Sequence, residues 1–183
     1  MYFQMKANNK IAEISIDGEI VSQKWYDEDT SAVDFREKLK ELGDVNTINL
    51  SINSPGGSVF DGIAIYNMLK QHKATVNITV QGLAASIASV IAMAGDTLTM
   101  NTGSMLMIHR PFTLAMGNAS ALRDMADTLD HVAESSVDIY NEKTGIDKDT
   151  IREVMTAETW LTADEAVEAG WADEKANTPM IEQ

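Results

Sequence analysis

At 183 residues and 44% hydrophobic, the chain has enough apolar material for one sizeable core and too little length to demand a second domain. It contains no cysteine, which excludes disulfides, thiolate metal sites and cysteine nucleophiles and fits a cytoplasmic protein; its formal charge of −14, from 28 acidic and 14 basic residues, repels a phosphate backbone, so nucleic acid is not an expected partner. No apolar run reaches the roughly 18 to 20 residues of a membrane span, since the longest, Leu83 to Ala94, is interrupted by Ser86 and Ser89.

The first residues lack the basic, apolar, small-residue order of a signal peptide, and Met1 to Gln4 read as a tag-cleavage scar. Ile14 and Ile16 alternate with polar neighbours and predict a half-buried strand. Phe35, Leu39 and Leu42 stand at i, i+4 and i+7 and predict a helix. Ile48, Leu50 and Ile52 predict a second strand, a helix follows from about Val59 to Gln71, and Val76, Ile78 and Val80 predict a third strand. Leu98 with Met100, and Met105 to Ile108, give two more. The longest helix runs from Ala119 to about Glu142, with Leu122, Met125, Ala126, Leu129, Val132, Ala133, Ser136, Val137 and Tyr140 in one apolar or small-residue stripe. A short helix follows from Lys148 to Met155, and Thr162 to Glu165 reads as a capping box opening a helix that stops at Gly170. Alternating strands and helices predict an α/β fold with a largely parallel sheet, whose ligands sit beyond the carboxyl ends of the strands.

Two segments that follow strands carry unusual residues. In Asn53-Ser54-Pro55-Gly56-Gly57 the paired glycines allow the backbone to approach a ligand closely, and amides at a helix start present partial positive charge. They form a candidate oxyanion hole; the bland alternative is an ordinary strand-to-helix turn. Gly82 to Ser86 leads into a wholly apolar helix, and the amide of Ile87 is expected to face the same space as Ser86 Oγ. Alone, Ser86 would be a helix cap. A third segment, Met107 to Pro111, sets His109 at a strand end, whereas His72 and His131 lie on polar helical faces. Serine needs a neighbouring base to become a nucleophile, so Ser86 and His109 are a candidate pair.

Taken together, Ile52 to Gly57, Gly82 to Ser86, Met107 to Pro111 and Leu161 to Gly170 resemble, in order and spacing, the proteolytic subunit of the Clp protease, over about Ile11 to Asp173. The wording of Ala88 to Asp96 and of Ala157 to Leu161 is most similar to the ClpP-like head maturation proteases of phages and prophages. The resemblance implies a ClpP/crotonase-like fold of repeated β-β-α units in a single peptidase domain, residues 5–176, with a protruding handle at about 111–143 and a tail at 177–183. It implies a serine endopeptidase acting on polypeptides inside a homo-oligomeric chamber, a heptamer or tetradecamer, with no metal and no cofactor. It puts Ser86 on the nucleophile, His109 on the base, and the amides of Gly56 or Gly57 and of Ile87 on the oxyanion hole. The acid, usually aspartate, falls on Glu158, and the expected role is a buried carboxylate accepting from His109 Nδ1 at roughly 2.6 to 3.2 Å, or somewhat further in an unliganded state.

The chain begins almost at the first core strand, without the longer segment that in housekeeping members forms axial loops. This counts against an ATP-driven unfoldase, and cleavage with or without an ATPase stays open. A phage-type member would process capsid or scaffold proteins. Other readings are a ring-forming assembly protein that lost activity, which the change from aspartate to Glu158 admits, and a crotonase-type acyl-CoA enzyme, which would not need the Ser86–His109 pair. A Ser-Lys peptidase is opposed by the absence of lysine between Ser86 and Glu142.

Overall fold

The computed structural model describes residues 5–8, 10–24, 26 and 29–176; the scar expected at 1–4 and the tail expected at 177–183 lie outside them. Along the chain come β1 (Met5–Asn8), β2 (Ile11–Ile20), α1 (Ala32–Glu41), β3 (Thr47–Gly57), α2 (Val59–Lys70), β4 (Thr75–Ala85) and α3 (Ile87–Ala92). Then follow β5 (Thr97–Met100), β6 (Met105–Ile108), α4 (Ala119–Thr144), α5 (Lys148–Thr156), β7 (Thr159–Thr162), α6 (Ala163–Glu168) and β8 (Glu174–Lys175). Among the described residues no helix is long and apolar enough to cross a membrane.

The predicted period-two strands form the spine of the sheet. Its order is β1-β2-β3-β4-β5-β8, with β6 joined to β4 and β7 joined to β6, and the β1–β2 and β6–β7 pairs are antiparallel while the rest are parallel. The alternating positions Ile14, Ile16, Ile48, Leu50, Ile52, Val76, Ile78 and Val80 are all buried, and they share one core cluster with Phe35, Ile65, Leu69 and the apolar residues of α3. Such burial, at roughly 25 cal/mol per Å² of apolar surface, is the main source of stability. Helix ends follow local chemistry. Ser31 Oγ accepts from the Asp34 amide to start α1, Asn118 Oδ1 accepts from the Ala121 amide to start α4, and Thr162 and Glu165 close the expected capping box on α6.

Two features of the sheet position the site. β4 divides: residues 77–80 pair with β5, while Leu83, Ala84 and Ala85 pair with β6. β3 shifts register between Ile52 and Ser54, after which Ser54 pairs with Ala84, and Gly56 and Gly57 pair with Glu19 and Ile20 of β2. The glycine-bearing segments expected as loops are therefore bent continuations of strands. Their carbonyls and amides find ladder partners that a residue-by-residue reading does not foresee.

The stripe on α4 is used unevenly. Ala133, Ser136, Val137 and Tyr140 are buried against the domain, but the first turns, through Thr128, are exposed on every side, Leu122 and Met125 included. His72 departs from expectation: it lies in the turn after α2, half-buried, with Nδ1 accepting from the Ala74 amide at 3.1 Å.

Candidate active site

Ser86 stands between β4 and α3 with φ 55° and ψ −127°, outside the conformations an L-residue ordinarily adopts. Among the described residues only Lys10, Ser86 and Glu158 have positive φ without being glycine, so two of the three belong to the candidate site, where strained backbone tends to be kept. Two bonds hold the Ser86 backbone: its amide donates to the Met107 carbonyl of β6 at 3.0 Å, and its carbonyl accepts from the Ser89 amide at 3.0 Å. The conformation turns Oγ out of the helix start instead of capping it; no side-chain cap bond forms.

His109 follows β6, so the β4–β6 pairing carries it to Ser86. Its Nε2 lies 2.7 Å from Ser86 Oγ, a full hydrogen bond between residues 23 apart in sequence. For Nε2 to accept from the hydroxyl, the ring proton must sit on Nδ1. The ring is 13% exposed, and Phe112 meets it edge-on at 5.8 Å. On the Nδ1 side, Glu158 Oε2 is 3.9 Å away and its side chain is 61% exposed. The carboxylate is near enough to attract an imidazolium, but it is neither buried nor hydrogen-bonded to the ring.

Gly56 packs directly against the serine, whereas Gly57 packs against Glu19 and Ile20. A Cβ at Gly56 would lie 2.7 Å from the Ala85 carbonyl oxygen and 2.8 Å from Ser86 Cβ, and φ there is +95°, so glycine is required twice over. The same Cβ would lie 3.1 Å from the Ile87 amide nitrogen, so the two expected oxyanion-hole backbones lie side by side. Gly56 is buried and its amide donates to Ser54 Oγ at 3.1 Å; Gly57 is exposed. Ile87 begins α3, so its amide has no helical carbonyl to donate to. Ser86, His109, Gly56, Gly57, Phe112 and Glu19 are among the residues lining a cleft of about 310 Å³ that is open to solvent.

Sequence reading missed Ser89, treating it as an interruption in an apolar run. Its Oγ donates to the Ser86 carbonyl at 2.6 Å and lies 2.7 Å from Tyr140 Oη. The available signal was a single polar residue in an otherwise apolar helix, three positions after the candidate nucleophile. Among the described residues no three of His, Asp and Glu gather as a metal-ligand set.

A family model described as Clp protease matches residues 8–178. ATP-dependent Clp protease proteolytic subunit 1 of Prochlorococcus marinus (strain MIT 9312) is 36% identical over 128 residues, 69% of this chain and 66% of the relative. The protein of that name from Salinibacter ruber is 33% identical over 141 residues, 76% of this chain and 60% of the relative. That from Chlamydia abortus is 36% identical over 152 residues, 79% of each. The chain thus spans less than two thirds of the length of the first two.

Proposed function

The chain belongs to the Clp protease family, and from that membership we propose that it is a cytoplasmic serine endopeptidase cleaving polypeptides inside an oligomeric chamber. The observation that carries the reading is the 2.7 Å contact between Ser86 Oγ and His109 Nε2.

In this reading a polypeptide lies across the cleft with its scissile carbonyl against Ser86. Oγ attacks the carbonyl carbon as its proton passes to Nε2, and the carbonyl electron pair moves onto oxygen. The amides of Ile87 and Gly57 hold that oxyanion, while Gly56, whose own amide faces Ser54, allows the close approach. Collapse breaks the carbon–nitrogen bond, and the amine leaves with the proton from His109. Water, deprotonated by the same imidazole, then attacks the acyl carbon; the bond from that carbon to Ser86 Oγ breaks, the acyl group leaves as a carboxylic acid, and the imidazolium proton returns to Oγ. Glu158 favours the Nδ1-protonated ring and the imidazolium that forms on attack.

The exposed start of α4, with Leu122 and Met125, and the segment after Pro111, where Phe112, Leu114 and Met116 stand in solvent, support a handle at about 111–143 on a single domain of residues 5–176. The apolar surface is of the kind that a second copy covers, and the proposed assembly is a heptameric ring or two such rings stacked. The relatives are named as subunits of ATP-dependent proteases, so assistance by an ATPase stands in the proposal beside ATP-independent cleavage. The likeness of Ala88 to Asp96 and Ala157 to Leu161 to head maturation proteases makes phage capsid or scaffold proteins the proposed substrates.

Cleavage of an unfolded polypeptide by the purified protein, followed by electrophoresis, tests the reading. Ser86→Ala abolishes cleavage if Ser86 is the nucleophile. Cleavage undiminished in that variant contradicts the assignment, and an inert parent chain favours a ring-forming protein without activity.

A further inference from the structure

Ser86 holds a backbone conformation that must be imposed from outside, and its carbonyl shows one source. That oxygen accepts from the Ser89 amide, as a helix start provides, and also from the Ser89 hydroxyl at 2.6 Å. Ser89 is fully buried in α3 among Ala88, Val90, Ile91 and Ala92, and its hydroxyl has one further neighbour, Tyr140 Oη at 2.7 Å. A serine hydroxyl carries one hydrogen and a carbonyl oxygen can only accept. The hydrogen of Ser89 therefore goes to Ser86, and the Tyr140 hydroxyl must donate to Ser89. The direction is fixed along the whole chain: Tyr140 Oη to Ser89 Oγ to the Ser86 carbonyl.

Tyr140 is itself immobilised. It is 1% exposed, stands edge-on to Trp171 at 5.3 Å and 77°, and belongs to α4, the helix whose first turns leave the domain. Burial pushes its phenol well above the ordinary tyrosine range, so the donor keeps its hydrogen throughout the working pH range. Tyr140 and Ser136 line one small, half-open pocket of about 20 Å³ together with Ser86 and His109.

We infer that Tyr140 and Ser89 are positioning residues for Ser86: the directed pair of hydroxyls anchors the Ser86 carbonyl, and through it the backbone that aims Oγ at His109. Neither side chain touches substrate. The arrangement links the base of α4 to the reacting serine by two hydrogen bonds, and bonds in such a buried series strengthen one another. The inference rests on the reading of Ser86 as nucleophile.

The test compares the parent with Ser89→Ala and Tyr140→Phe, which delete one hydroxyl each while keeping the helix and the ring packing. Rates of modification by a fluorophosphonate probe, and kcat and KM for a peptide substrate, are measured on assembled protein well below its unfolding temperature. Each variant is expected to lower the modification rate and kcat roughly five- to tenfold, the worth of about one hydrogen bond, with KM within twofold. The double variant is expected to be no slower than Ser89→Ala, because Tyr140 acts only through Ser89. A structural role alone would lower the unfolding temperature without this kcat-against-KM split. Modification of the parent at Ser86 with unchanged rates in both variants overturns the inference alone. A parent that the probe modifies at another residue overturns the reading beneath it as well.

Discussion

Glu158 Oε2 stands 3.9 Å from His109 Nδ1, in contact with the ring's outer nitrogen but without a hydrogen bond, and with most of its side chain in solvent. A positive φ of 50° holds Glu158 in the turn between α5 and β7, where its amide donates to Met155 at 3.4 Å. A carboxylate so exposed to water has its attraction for an imidazolium screened.

For this reason Glu158→Gln is expected to lower kcat by about 10²-fold, short of the ~10⁴-fold that follows when a buried triad aspartate becomes its amide. Steady-state kinetics on the assembled protein checks this. A loss under about threefold would assign the orientation of His109 to water.

Gly56→Ala places a methyl group against the Ala85 carbonyl and Ser86 Cβ at a φ of +95°. The backbone strain is expected to cost about 1–3 kcal/mol. Displacement of Ser86 is expected to cost about 10²-fold in kcat/KM. Denaturant unfolding and peptide hydrolysis measure the two separately. A variant with normal stability and normal kcat/KM would mean that the Ser86 backbone lies further from Gly56 than described.

Leu122→Glu puts a charge on the exposed start of α4. Light scattering is expected to show dissociation to smaller species, with the circular dichroism of the protomer unchanged, because an interface cannot solvate the charge. Assembly unaffected by the substitution would place the interface elsewhere.

Asp61 ties the segment before α1 to the start of α2, accepting from Ser22 Oγ at 2.7 Å, Ser58 Oγ at 2.6 Å and the Ala32 amide at 3.3 Å. Burial alone would raise its pKa, but the hydrogen bonds prevail and leave it below the usual carboxylate range. A carboxylate lowered on folding contributes stability above its unfolded value near pH 4, and that contribution is lost as pH falls through the lower folded value. Asp61→Asn is therefore expected to lower the thermal midpoint at pH 7, with the gap to the parent closing below about pH 4. A gap independent of pH would mean that the ionised form is not what the hydroxyls stabilise.

Much of this was legible in the residues. Period-two alternation at Ile14, Ile48 and Val76 and their neighbours specified the parallel strands, because a buried face admits one register, and the capping box at Thr162 marked its helix by local chemistry alone. The candidate pair was legible because Ser86 and His109 each close a strand. What stayed hidden depends on register between distant segments. Nothing local says that β4 divides at residues 81–82, that β3 continues to Gly57 along β2, or that Ser89 would find Tyr140, 51 residues away. Glu158 was identifiable by position, but its exposure follows from a turn geometry that composition does not encode.

Locating a fluorophosphonate adduct by mass spectrometry of digested protein tests the central claim most directly, since it reports which hydroxyl reacts. The account predicts one adduct per chain, on Ser86, absent from Ser86→Ala and strongly reduced in His109→Ala. An adduct at another residue, or equal labelling after either substitution, would contradict it.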